Sequence, residues 1–124
     1  MNPNIVKLVS TLLASRTQAH IFHWQTQGGD SGAQHKALND YYDEIVDLVD
    51  DLVESSQGKY GILTGYSGPQ GYREDQNPLV YFKGLAQYVE TIRKALPQDS
   101  YIQNQIDEIV ALVETTLYKL EYLH

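Results

Sequence analysis

Residues 37–54 read ALNDYYDEIVDLVDDLVE, and apolar side chains recur in this stretch every three or four positions. That period is typical of a helix with one buried face, which would carry Leu38, Tyr41, Tyr42, Ile45, Leu48, Val49, Leu52 and Val53. The same helix would also carry acidic side chains within a face roughly 60° wide: Asp43, Asp47, Asp50 and Glu54. We therefore predict a long amphipathic helix with an acidic stripe.

Cap residues, prolines and glycines divide the chain into four predicted helices. A cap residue followed by proline is a common helix start, and this pair occurs at Asn2-Pro3 and at Asn77-Pro78. The second and fourth helices have two candidate cap residues each: Asp30 or Ser31, and Asp99 or Ser100. The first three helices would end at glycine or proline: Gly28-Gly29, Gly58 and Pro97.

The order of these segments predicts an all-α fold, with residues 1–124 forming a single ferritin-like four-helix domain. Short turns join the first helix to the second and the third to the fourth, so each pair should form an antiparallel hairpin. The Gly- and Tyr-rich segment 58–77 is long enough to cross the length of the bundle between helices 2 and 3, as in ferritin-like folds. A plain up-and-down bundle would form if this segment folded back on itself. A loop of this length is also often a functional or interface element.

The composition of the chain argues against several kinds of binding site and partner. The chain has 124 residues, 42% of them apolar, which suits one domain with a modest core. It has no cysteine, which excludes disulfides, zinc–thiolate sites and iron–sulfur clusters. Its net charge of -7 argues against a nucleic-acid partner and is compatible with cation uptake. No apolar run reaches membrane-spanning length, so we expect no membrane association and a cytoplasmic location.

Two histidines and two carboxylates form the candidate metal site. His23 lies shortly before Gly28-Gly29 and His35 shortly after it, so the two should face each other across the first hairpin. Asp50 and Glu54 lie one turn apart further along the second helix. Imidazoles and carboxylates are ligands for iron and similar divalent ions. On a straight helix His35 and Asp50 would be roughly 22 Å apart, so one site could use all four residues only if two antiparallel chains shared it.

Each of these residues also has a purely structural interpretation. Helical histidines are more often packed or surface residues than metal ligands, and an acidic stripe is more often a solvated face than a cation site. Trp24 would lie in the core or in an interface, and it could also serve as a redox neighbour of His23 because indole can lose one electron.

The combination of His23-Trp24, His35 and Asp50-x-x-x-Glu54 resembles the ferroxidase signature of the Dps family, the mini-ferritins that protect DNA during starvation. The resemblance covers roughly residues 8–57. It implies a ferritin-like fold and iron binding, with oxidation of Fe(II) to Fe(III), preferably by hydrogen peroxide, and storage of the ferric product in a hollow homo-oligomer. It also implies that the histidines come from one subunit and the Asp-x-x-x-Glu pair from its two-fold mate. Other divalent ions would suit the same ligands.

The chain departs from the family pattern in three places. Where the family has a further Asp, one turn after the second histidine, this chain has Asn39, and Asp43 lies one turn beyond. Both residues are candidates for holding the metal ligands in position without binding the metal themselves. The short helix that the family carries between its second and third helices is replaced by the Gly- and Tyr-rich segment. The basic tail that some members use for DNA is absent, which argues against DNA coating.

A second interpretation comes from a different functional class. The chain would be a ferritin-like structural or interaction protein with a degenerate metal site, similar to short Dps-like proteins carried by bacteriophages. Asn39 and the ten tyrosines of the chain favour this alternative, because tyrosine suits protein interfaces. Its partners would be virion proteins and its location the virion, whereas the ferroxidase would assemble only with itself, as a two-fold homodimer or a larger homo-oligomer.

Overall fold

The computed structural model describes residues 3–28, 31–68, 71–74 and 77–123. Within these ranges the chain forms four α-helices and a 3₁₀ turn, and no strand: α1 (Pro3–Trp24), α2 (Ser31–Tyr60), α3 (Pro78–Ile92), the 3₁₀ turn (Arg93–Ala95) and α4 (Ser100–Tyr122). α2 packs against α1 and α4, while α3 packs against α4 and, over a smaller area, against α1. The predicted all-α bundle of four helices is confirmed. None of the helices traced in these ranges has the length and apolar character needed to traverse a bilayer.

The core is one continuous cluster of apolar side chains from all four helices. Full burial of a large apolar side chain stabilises the fold by about 1.5–3 kcal/mol. The largest fully buried members include Tyr41, Phe82, Ile5, Leu8, Leu12, Leu38, Ile45, Leu52, Ile102, Ile106 and Ile109. These positions match the helical period of the sequence, but Leu13, the apolar neighbour of Leu12 on α1, is 47% exposed.

α2 continues through Gly58 and ends at Tyr60, beyond the end predicted from the sequence. A single glycine inside a helix costs only about 1 kcal/mol, which the packing of α2 against two other helices outweighs. The helix stops just before Gly61, whose N–H donates to the Gln57 carbonyl at 2.9 Å. Gly61 has a φ of 95°, the conformation that favours glycine after a helix C-terminus.

The starts of α3 and α4 use their cap residues differently. The Asn77 side chain accepts a hydrogen bond from the Val80 N–H at 2.9 Å, so this predicted cap is confirmed. Asp99 occupies the cap position of α4, but its side chain makes no hydrogen bond to the helix backbone. Its carboxylate accepts instead from the Tyr60 hydroxyl at 2.5 Å and from the Tyr101 hydroxyl at 3.4 Å, which ties the end of α2 to the start of α4. The predicted caps at Asn2, Asp30 and the Ser31 side chain lie outside the described residues.

The segment between α2 and α3 is held against α1 by side chains of α1. Ser10 Oγ accepts from the Ser67 N–H at 3.2 Å. Further along α1, Gln18 Oε1 accepts from the Arg73 N–H at 2.7 Å. Leu63 is 4% exposed and joins the core. The segment is therefore fixed by specific bonds although it has no regular secondary structure in its described residues.

Candidate metal centre

The end of α1 and the start of α2 bring His23 and His35 together. Their rings stack with centroids 3.5 Å apart and planes inclined by 25°. His23 is half-buried in the last turn of α1, and His35 is exposed near the start of α2. The spacing about Gly28-Gly29 thus places the two imidazoles side by side, and we refer to them below as the histidine pair.

Reciprocal hydrogen bonds fix which nitrogen of each imidazole carries a hydrogen. Nδ1 of His23 lies 2.9 Å from the His35 carbonyl, and Nδ1 of His35 lies 3.0 Å from the His23 carbonyl. A carbonyl oxygen only accepts, so both Nδ1 atoms must donate. A neutral imidazole has one N–H, so Nε2 of each neutral ring keeps its lone pair. Donation of one ring N–H to a carbonyl is the usual state of a histidine that binds metal through its other nitrogen.

Thr26 reinforces this arrangement from the turn that follows α1. Its hydroxyl donates to the His23 carbonyl at 3.0 Å, and its oxygen lies 3.1 Å from Nδ1 of His35. Because the hydroxyl hydrogen is directed to the carbonyl, the Thr26 oxygen accepts a share of the His35 N–H. Thr26 therefore holds the backbone of His23 and the ring of His35 in place.

Three more rings extend from the histidine pair. His20 stacks on Tyr42, with centroids 4.2 Å apart and planes inclined by 20°, and it lies 4.3 Å from the ring of Trp24. The rings of Tyr42 and His23 are nearly perpendicular, with centroids 5.4 Å apart. Trp24 is 68% exposed, so it does not lie in the core, and its place in an interface stays a prediction. The indole is held outside the core because α1 ends at Trp24 and its ring packs on His20, one turn earlier.

Asn39 and Asp43 connect to the histidine pair through Tyr42. The Tyr42 hydroxyl donates to Asn39 Oδ1 at 2.6 Å, and Asn39 Nδ2 donates to Asp43 Oδ2 at 3.1 Å. The amide of Asn39 is thus used at both ends to hold Tyr42 and Asp43. Both residues support the ring that touches His23.

Asp50 and Glu54, which we call the acidic pair, lie apart from the histidine pair. They are exposed and line an open groove of about 360 Å³ together with apolar side chains that include Leu13, Val53 and Tyr66. α2 is one continuous helix from Ser31 to Tyr60, so its rise puts roughly 22 Å between the levels of His35 and Asp50. Across the described part of the chain, no three His, Asp or Glu side chains cluster closely enough to hold a metal ion.

His20, Tyr42 and Thr26 are parts of this site that the sequence analysis does not single out. His20 precedes His23 by three positions and Trp24 by four, so a shared helix face could have been read from the spacing. The apolar period predicts Tyr42 only as a buried residue. Thr26 carries no periodic signal, because it lies in the turn after α1.

Comparison with known proteins places the chain in a family. No curated protein matches it, and no solved structure does. A model of a family of unknown function, DUF5856, matches residues 23–120. The match begins at His23, so it takes in the histidine pair, the acidic pair and α2, α3 and most of α4. The chain therefore belongs to the DUF5856 family.

Proposed function

We propose that this protein is a Dps-like, ferritin-like protein that oxidises Fe(II) at a site shared between two copies of the chain. The observation that carries the proposal is the histidine pair. Two stacked imidazoles donate through Nδ1 to each other's backbone carbonyls, and both therefore present Nε2 as a ligand atom.

The course of the chain between α2 and α3 supports the ferritin-like part of the proposal. Ser67 bonds to Ser10 near the start of α1, and Arg73 bonds to Gln18 nearer its end. Tyr81, at the start of α3, then packs against Phe22 with ring centroids 5.7 Å apart. These successive contacts advance along α1, which is the course expected of a crossover that returns α3 parallel to α2.

In the proposed reaction Fe(II) is the substrate. Nε2 of His23 and His35 would bind it, and Asp50 and Glu54 of the partner subunit would complete the site. The carboxylates supply negative charge, which favours Fe(III) over Fe(II). Each hydrogen peroxide molecule takes one electron from each of two Fe(II) ions; its O–O bond breaks, and with two protons it leaves as two water molecules. The metal carries the redox step, so no side chain acts as a nucleophile.

The isolated chain is compatible with this shared site. The histidine pair and the acidic pair both lie at the surface and are separated along α2, so neither can be completed by the other in one copy. Two antiparallel α2 helices related by a two-fold axis would bring each histidine pair opposite the partner's acidic pair, since such a contact is self-complementary.

Iron oxidation tests the proposal directly. Fe(II) mixed with hydrogen peroxide should develop a ferric absorbance faster with the protein than without it, and His35→Ala and Glu54→Ala should each abolish the acceleration. Asp51→Ala is the matched control, because Asp51 is an exposed acid of α2 outside the acidic pair. Unchanged oxidation rates in both ligand variants would refute the proposal.

A second candidate is a structural or interaction protein, such as a virion component, with a degenerate metal site. Its specific support is the number of large aromatic side chains at the surface: Trp24, Tyr60, Tyr66, Tyr72, Tyr101, Tyr118 and Tyr122 are all more than 40% exposed. Aromatic residues are enriched in protein interfaces. Size in solution separates the candidates, because a closed hollow homo-oligomer supports iron storage, and a monomer, dimer or ring that oxidises no iron supports the alternative.

A further inference from the structure

A groove of about 410 Å³ lies between α1, α3 and the segment that connects α2 to α3. We call it the α1–α3 groove. α1 contributes one face with Lys7, Thr11 and Gln18, α3 contributes Tyr81 and Tyr88, and the connecting segment contributes Arg73. Its volume falls within the range of about 300–1,000 Å³ that is usual for small-molecule sites. Neither the histidine pair nor the acidic pair lines it.

The wall that carries Arg73 is held in place by a buried side chain. Gln18 is 2% exposed, and its Oε1 accepts from the Arg73 N–H at 2.7 Å. Its Nε2 also lies 3.5 Å from the Arg73 carbonyl. A buried amide that contacts both backbone groups of one loop residue fixes the position of that residue, because loss of either bond would leave a buried polar group unpaired.

The charge of the groove is opposite to that of the whole protein. The chain has a net charge of -7, yet the described residues of the lining include the two cations Lys7 and Arg73 and no carboxylate. Among the residues the structure describes, neither cation forms an ion pair, whereas Lys83 pairs with Glu121 at 4.0 Å. The positive charge of the groove is therefore not neutralised by the described part of the protein.

Tyrosine hydroxyls add hydrogen-bond donors to the groove. The Thr11 hydroxyl donates to the Tyr88 oxygen at 3.3 Å, so Tyr88 keeps its own O–H for another acceptor. Burial raises the pKa of Tyr81 to about 12, although the charge of Arg73 opposes the rise. Tyr81 therefore stays a protonated phenol, able to donate, at any physiological pH. The two rings also supply apolar surface.

We propose that the α1–α3 groove binds a small organic anion, in which a phosphate or carboxylate group is attached to a planar apolar body. Arg73 receives the anionic group, since a guanidinium forms paired, charge-assisted hydrogen bonds with such oxygens. Lys7, about 16 Å from Gln18 along α1, adds positive charge to the groove. The tyrosines contact the apolar body and donate to its polar edge. This proposal does not depend on the iron chemistry, because it uses none of the same side chains.

Titration calorimetry with phenyl phosphate tests the proposal. We expect saturable binding to the full chain that weakens about tenfold in Arg73→Gln, as expected for loss of one charge-assisted bond, and by a smaller factor in Lys7→Gln. Both side chains are exposed, so the variants should fold. Lys83→Gln is the matched control, since Lys83 is an exposed cation of α3 outside this groove.

Two further probes separate the contributions to binding. Phenol lacks the anionic group and inorganic phosphate lacks the ring, so both should bind more weakly than phenyl phosphate. Absence of saturable binding, or equal affinity in the Arg73 and Lys83 variants, would overturn the site. Inorganic phosphate binding as tightly as phenyl phosphate would overturn the role given to the tyrosine rings.

Discussion

Ser15 is a polar residue at 0% exposure, and its role follows from the direction of its hydrogen bonds. Its Oγ donates to the Leu12 carbonyl at 2.6 Å, so the Tyr41 hydroxyl, also 2.6 Å away, must be the donor in the bond between the two side chains. Burial raises the pKa of Tyr41, and the bond to Ser15 opposes the rise only partly. α1 and α2 are thus joined in the core by one directed polar bond.

Removal of the Ser15 hydroxyl, which accepts the bond, should destabilise the fold more than removal of the Tyr41 hydroxyl, which donates it. Ser15→Ala leaves the Tyr41 hydroxyl buried without a partner, which should lower the free energy of unfolding by about 1–3 kcal/mol. Tyr41→Phe leaves the bond from Ser15 to Leu12 intact, so its effect should be smaller. Urea unfolding followed by circular dichroism measures both. The double variant should recover much of the loss, and strictly additive effects would contradict the assignment.

The histidine pair makes a prediction that needs no metal. Both neutral imidazoles should carry hydrogen on Nδ1 and not on Nε2, because each Nδ1 donates to a carbonyl. Nitrogen-15 chemical shifts of His23 and His35 would report this tautomer. Thr26→Val should raise the Nε2–H population of His35, because it removes an acceptor, while His20 serves as an internal reference. Nε2–H tautomers in the unmodified protein would remove the main support for the proposed function.

At the level of residues, the sequence predicts which side chains lie close together better than it predicts how they are oriented. The positions of His23 and His35 about Gly28-Gly29 are sufficient to place them side by side, because a short turn between helices fixes the register. Their tautomers depend on carbonyls of the opposite helix, which no periodic pattern of the sequence encodes. The contact with Thr26 is not encoded either, because Thr26 lies in a turn. The exposure of Trp24 depends on where α1 ends. The apolar character of the side chain does not reveal that position.

Helix ends are the elements at which sequence and structure differ most. Asn77-Pro78 predicts the start of α3 correctly, because the cap bond to Val80 is local. Gly58 is wrong as the predicted end of α2, because tertiary packing extends the helix to Tyr60. The fold class was readable from periodicity, whereas the exact boundary depended on contacts with other helices.

Gly58 and Gly61 should respond in opposite directions to the same substitution. Gly58 lies inside α2 with open space around its Cα, so Gly58→Ala should raise the free energy of unfolding by about 0.5–1 kcal/mol. Gly61 has a positive φ, so Gly61→Ala should lower it by about 1 kcal/mol. Chemical unfolding of the two variants side by side checks the pair. Equal effects would mean that α2 ends elsewhere.

Asp40 links α2 to α4 and makes this contact sensitive to pH. Burial disfavours its charged form, but hydrogen bonds from Lys36 and Lys119 outweigh this, so the pKa of Asp40 lies below its usual value. The contacting nitrogens lie 3.2 and 3.4 Å from the carboxylate. A carboxyl whose pKa is lowered by folding stabilises the protein above its unfolded pKa of about 3.9, and this contribution is lost as the pH falls through the lower folded value.

Asp40→Asn should therefore be less stable than the unmodified protein near neutral pH, and the difference should shrink as the pH falls below about 4. Urea unfolding at a series of pH values measures the difference. Asp51→Asn, at an exposed position of α2, is the control and should show little change with pH. A constant difference between Asp40→Asn and the unmodified protein across this range would show that the ion pairs contribute nothing.

For the whole molecule, the central prediction is that the iron site requires two chains. A His23→Ala, His35→Ala double variant and an Asp50→Ala, Glu54→Ala double variant should each be inactive. In a mixed two-fold dimer one of the two sites regains all four ligands, so an equal mixture should recover about a quarter of the sites if the subunits exchange freely. Ferric absorbance measures the recovery. Failure to recover, with mixed oligomers demonstrated by mass spectrometry, would exclude a shared site.

The exposed indole at the end of α1 gives the protein a built-in optical probe. Trp24 is the only tryptophan of the chain, so its fluorescence comes from one place, beside His20 and close to the histidine pair. If association covers this surface, the emission should shift to shorter wavelength as the protein is concentrated, with no label attached. The same signal can be followed in rapid mixing with metal ions, so that assembly and ion binding are timed separately in one sample.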